Sequence, residues 1–186
     1  ARFPGDRLAD LTLARAEITF GDRSAGEAIL TRRIAADARD ADALWLMALS
    51  RIFAGDADRS RRAALYAEAS PWLGKAFAVD QNRYQILYNY AQSRSMTPDY
   101  PTDNTLAVLL KAHELAPQVG TIRLNAARAL MKRGRFPQAI ALLTPLANNP
   151  HGGSLADAAE RLIAQARAGQ LADAAGEPAD EGPGDR

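Results

Sequence analysis

The chain of 186 residues contains no cysteine, which excludes disulfides, thiolate nucleophiles and thiolate metal sites and leaves the compartment open between cytoplasm and periplasm. Aromatic residues make up 6% of it, so its core must be built from aliphatic and small side chains. The net charge is +1, which gives no electrostatic reason to expect nucleic acid or an anionic membrane as the partner. No uninterrupted apolar run approaches the roughly 18 residues a spanning helix needs, so membrane insertion is not expected. No basic-then-apolar leader opens the chain. It begins at Ala1 without methionine, which fits a processed or excised piece and makes the missing leader uninformative about location.

Catalytic patterns are lacking as well. His113-Glu114 begins the pattern of a zinc-protease helix, but Pro117 stands where the second histidine is required, and proline cannot ligate. The only other histidine, His151, lies in a glycine turn 38 residues further on. Gly152-Gly153 follows no strand pattern and has no basic residue with which to cradle phosphate. No serine occupies a nucleophile elbow. The expectation is a non-enzyme with no metal and no cofactor.

What is present is a repeated helical pattern. The stretch 121–150 reads as a helix, a glycine turn at Gly134, a second amphipathic helix and a stop at Pro150. Gly21 and Gly55 lie 34 residues apart, and each closes a stretch with apolar residues at three- and four-residue steps: Leu8 to Phe20, then Leu44 to Ala54. A second helix is expected over 25–36. Four units follow, near 7–40, 41–83, 84–119 and 120–152, within one repeat domain over 1–169.

This pattern resembles the bacterial tetratricopeptide repeat (TPR) family, whose period is about 34 residues. In register with that family's consensus stand Ala127, Gly134, Ala139 and Leu143 of the fourth unit. Leu44, Met47, Ala48 and Gly55 match in the second, and Ala91, Ala112 and Pro117 in the third. Small residues at these places let two antiparallel helices approach, and glycine suits a left-handed cap. The first unit departs from the consensus with Glu17, Gly26 and Arg33. The resemblance implies an all-α fold, a right-handed solenoid of about four helical hairpins with a C-terminal cap helix over 154–169.

Insertions fall in definable places. Residues 56–62 lengthen the turn or the second helix of unit two, and Ser70-Pro71 either kinks that helix or restarts it. The prolines of Met96–Asp103 forbid a continuous helix there. Ser154 reads as the N-cap of the terminal helix, and the acidic, Gly- and Pro-containing stretch 170–186 as a disordered tail.

Function is expected from the resemblance. It implies a protein–protein interaction module that holds an extended peptide or a partner protein in a groove lined by the first helix of each hairpin. Carried onto this chain, the groove residues are Tyr88, Asn89, Gln92, Asn125, Arg128 and Lys132. The two asparagines offer a donor and an acceptor each to a peptide backbone, and the set favours an acidic segment or a carboxylate. An ordinary solvated helix face is the other reading of the same residues, and the basic set around Lys132, Arg133 and Arg135 reads as solvation rather than RNA binding.

The corresponding residues of unit two, including Trp45, Leu49, Ile52 and Phe53, are apolar all round. Either the irregular helices of unit one cover them, which is the preferred reading, or they form a contact face for self-association. Nine of the twelve aromatics lie between Trp45 and Tyr100, so packing is expected to be heaviest there. Short phrases late in the chain, such as Pro145-Leu-Ala-Asn-Asn-Pro-His-Gly-Gly, are similar to repeat arrays that follow gluzincin-type peptidase domains. That similarity implies an accessory region of a larger enzyme as an alternative.

Overall fold

The computed structural model describes residues 6–171. The acidic tail expected over 170–186 lies outside them except for Gln170 and Leu171. Among the described residues there are nine α-helices and no strand: α1 Arg7–Phe20, α2 Arg23–Ala36, α3 Ala41–Ala57, α4 Arg62–Val79, α5 Tyr84–Ser93, α6 Asp103–Leu115, α7 Gly120–Lys132, α8 Phe136–Ala147 and α9 Gly153–Arg167. The chain divides into two compact units, 1–100 and 101–186. The division falls in the loop after α5, so the third expected hairpin gives one helix to each.

In the first unit α1 packs on α2, α3 on α4, and α4 on α5. Each of the first three helices starts on an aspartate whose carboxylate accepts backbone N–H groups otherwise left open: Asp6 from Leu8 and Ala9, Asp22 from Ser24, Asp40 from Ala43. Two of the first hairpin's departures from the consensus have structural roles. A methyl group on Gly26 would sit 2.8 Å from the Ala14 carbonyl oxygen and 2.8 Å from Ile18, so glycine sets a close helix crossing. Glu17 accepts from the Asp22 amide at 2.9 Å and closes the turn.

Three sequence expectations need correction here. Gly55 does not end a helix, because α3 continues to Ala57. Its role is close approach: a Cβ there would meet the Tyr66 ring at 3.1 Å. Pro71 does not restart the helix, since α4 runs through it from Arg62 to Val79. The missing proline N–H costs one intrahelical bond, a loss outweighed by the burial of Leu65, Tyr66, Ala69, Leu73 and Ala76 along the same helix.

In the second unit α6 packs on α7, α7 on α8, and α9 on both α7 and α8. Thr102 caps α6 through the Thr105 amide. At the end of α7, Gly134 adopts φ 70°. The Arg135 amide bonds back to the Leu130 carbonyl at 2.9 Å and the Gly134 amide to Met131 at 2.8 Å, the hydrogen-bond pair of a Schellman cap. Ala126, Ala127 and Ala139 are fully buried, which is how small side chains bring α7 and α8 together. Ser154 is not the cap of α9: the helix starts at Gly153, and its N-cap Gly152 offers no side chain.

Candidate functional site

Several polar residues of the first unit are turned inward. Trp45 on α3 is buried, and its indole Nε1–H donates to Asn89 Oδ1 at 2.7 Å. Asn89 in turn donates through Nδ2 to Gln92 Oε1 at 2.9 Å, and Gln92 Nε2 to the Tyr66 hydroxyl at 3.2 Å. The Tyr66 hydroxyl donates to Asp56 at 2.6 Å. Burial, and then the bond to Asp56, push the Tyr66 phenol well above its ordinary value. The asparagine amide that the family resemblance offered to a ligand is thus engaged on both sides. Arg83 lies over the Trp45 ring at 4.8 Å and pairs with Asp42. Nothing in the sequence pattern marks this chain of bonds, because its members are 44, 26 and 10 residues apart.

The apolar set on α3 is covered within the unit. Trp45 and Ile52 are buried, and Leu49 and Phe53 are half-buried against the same core cluster. Tyr90 stacks on Phe77 with ring centres 5.7 Å apart. The most exposed large apolar residues of this unit lie instead on α1, where Leu8 and Phe20 are 73% and 78% exposed. A shallow depression beside Leu8 is lined by Ala9, Thr12, Leu13 and Ala16.

An ion network ties the N-terminal helices together. Arg7 on α1 donates to Asp40 at 2.7 and 3.0 Å and to Asp42 at 2.5 Å. Arg33 on α2 approaches Asp40 at 3.6 Å and Asp10 at 4.0 Å. Burial opposes ionisation of Asp40 and Asp42, but the arginine bonds outweigh it and hold both carboxyls below their usual range.

The second unit presents a different surface. On α7, Asn125, Arg128 and Lys132 are half-buried, and Arg128 donates to Asn125 Oδ1 at 3.3 Å. Arg133 in the following turn pairs with Asp103 and donates to the Pro101 carbonyl. Arg123 and Arg135 donate to neutral acceptors, the Pro117 carbonyl at 2.8 Å and Gln138 respectively. Burial, with Arg123 nearby, lowers the pKa of His113 below its ordinary value. Between Glu114 and Asp157 the sequence holds no carboxylate, while five cations fall between 120 and 135. The structure therefore puts Tyr88, Asn89 and Gln92 in one compact unit and Asn125, Arg128 and Lys132 in the other.

Among the described residues no group of three His, Asp or Glu side chains is placed to hold a metal ion. No helix among them is long and apolar enough to cross a membrane.

No family model matches the chain in sequence, and no curated protein does. Solved structures do match its fold. A thermophilic TPR protein of Thermus thermophilus superposes with a TM-score of 0.67 at 19% identity, over 88% of this chain and 84% of that one. The MamA protein superposes with a TM-score of 0.61 at 15% identity, over 87% of this chain and 90% of that one. The fold is the all-α helical-repeat fold of such TPR proteins.

Proposed function

We propose that the chain is a non-catalytic protein-binding module and that α7 presents its ligand-contacting face. Asn125, Arg128 and Lys132 would hold an extended segment with acidic side chains, Asn125 pairing with the peptide backbone and the two cations with carboxylates. The observation that carries this reading is the run of 42 residues without a carboxylate between Glu114 and Asp157, on which five cations lie along α7 and in the turn that follows it. The likeness in fold to TPR proteins supports a role in binding. The α5 residues Asn89 and Gln92 serve the internal hydrogen-bond chain in this reading and are not ligand contacts.

The test is a titration of a short, labelled, Glu-rich peptide, followed by anisotropy at low and at high salt. Its Gln counterpart serves as the control. Arg128→Gln/Lys132→Gln should weaken the Glu-rich peptide by roughly tenfold, the scale of two partly exposed charge contacts, with little effect on the thermal melt. Equal binding of the Glu and Gln peptides, or an unchanged affinity in the double variant, would refute the reading.

A further inference from the structure

Helix α1 is apolar on two opposite faces. Leu11, Ala14 and Ile18 are buried, on the side where α1 packs against α2 and α3. On the other side Leu8, Thr12, Ala16 and Phe20 follow one another at four-residue steps, and all four are exposed. Ala9 and Leu13 lie beside this row, are exposed too, and line the shallow depression together with Leu8, Thr12 and Ala16. None of these six residues carries a charge. A helix with one face in the core ordinarily keeps charged and polar side chains on the far side. The far side of α1 has instead the composition of a second packing surface.

The order of sizes along the row says what fits it. Rows of residues four apart interlock when two helices cross at about 50°. The two axes are then closest at the crossing point and diverge toward the ends. In α1 the small residues Thr12 and Ala16 stand at the middle of the row, where close approach is needed. Leu8 and Phe20 stand at its ends, 73% and 78% exposed, where the space between diverging helices must be filled. Large, small, small, large reads the same in both directions. A twofold contact requires this, because one surface must complement its own copy. With no charge in the row, the repetition sets no like charges against each other.

The area is also that of such a contact. A helix of 14 residues is about 21 Å long and about 10 Å across, so its solvent side offers on the order of 500 Å² per copy. Two copies would bury about 1,000 Å², the lower end of the range for specific interfaces.

We propose that the exposed face of α1 is a self-association surface, on which α1 of a second copy packs about a twofold axis between Thr12 and Ala16. An interface of this size gives a reversible dimer, with dissociation in roughly the range of tens to hundreds of micromolar. The contact leaves α7 out, so it stands or falls apart from the ligand reading of that helix.

Sedimentation equilibrium of the full chain from about 10 µM to about 1 mM, a range that brackets such an affinity, is the test. The weight-average mass should rise from one chain toward two, and should do so at high salt as well, because the contact is apolar. Amide shifts that move with concentration should fall on residues 8–20. Leu8→Glu/Phe20→Glu should stay at one chain throughout, with the melt of a dilute sample close to the parent's, since both side chains are exposed. Thr12→Arg, a charge at the crossing point, serves as the second variant and should abolish the rise alone. A parent that remains one chain at the highest concentration, shifts centred on another helix, a mass that passes two chains, or a folded variant that associates like the parent would overturn the proposal.

Discussion

Asp40 does two jobs that a pair of substitutions separates. Its carboxylate is buried, caps α3 through the Ala43 amide at 3.2 Å, and accepts two bonds from Arg7 while Arg33 stands at 3.6 Å. Asn retains a capping oxygen and removes the charge; Ala removes both. A hydrogen bond to a charged group contributes about 1.5–3 kcal/mol. Arg7 is 49% exposed at its side chain, so solvent screening brings that figure down to about 1–2 kcal/mol for Asp40→Asn. Losing the cap adds about 1 kcal/mol, which puts Asp40→Ala near 2–3 kcal/mol. Urea unfolding followed by tryptophan fluorescence is the suitable assay, because Trp45 and Trp72 both lie in the first unit. The same network fixes the pH dependence. The folded pKa values of Asp40 and Asp42 lie below the ordinary value near 3.9. Their contribution is thus complete above about pH 4 and is lost as pH falls through the depressed folded values. Asp40→Asn should flatten that acid loss. Equal costs for Asn and Ala, or an acid limb unchanged in Asp40→Asn, would refute the division into cap and charge.

Further outcomes follow from single contacts. Asn89→Ala leaves the buried Trp45 indole N–H without its acceptor, and should destabilise the first unit by about 2 kcal/mol and shift Trp emission. Gly134→Ala forces a side chain into φ 70° and should cost about 1 kcal/mol, read by circular dichroism melting. Gly26→Ala should destabilise in spite of alanine's better helix propensity, because the new methyl meets backbone at 2.8 Å. Stabilisation in urea would show that α1 and α2 can move apart at little cost.

The helices were legible wherever period and punctuation agreed. Gly134 with Pro150 and the Ala127, Ala139 pair mark one hairpin so clearly that its turn geometry could be anticipated. Punctuation misled where tertiary packing set the outcome. Gly55 looks like a stop and is instead a flat spot for the Tyr66 ring, and Pro71 looks like a break in a helix that burial keeps whole. Spacing alone could not separate Asn89 from Asn125, because both occupy the same place in the repeat. Asn89 faces a tryptophan 44 residues earlier in the chain, and only the folded structure shows that its amide is already engaged. Composition hid the most useful quantity, since a net charge of +1 is what remains after a nearly balanced stretch 1–100, a basic stretch 101–171 and an acidic stretch 172–186 are added together.

That distribution bears on where binding belongs. In the first unit the charged and amide side chains bond across long sequence separations: Arg7 to Asp40, Arg83 to Asp42, Trp45 to Asn89. Such contacts lock hairpin against hairpin, and each one satisfies a group that would otherwise be available to a ligand. Removing one partner leaves a buried polar atom unpaired, so substitutions there should appear first as lost stability. On α7, Arg128 donates to Asn125 three residues away, within a stretch of sequence without carboxylates, and neutralising Arg128 and Lys132 should appear first in salt-dependent binding and hardly in the melt. The two units are therefore distinguishable by which measurement each substitution moves. A charge substitution on α7 that lowered the melting temperature as much as Asp40→Asn would place the binding face elsewhere.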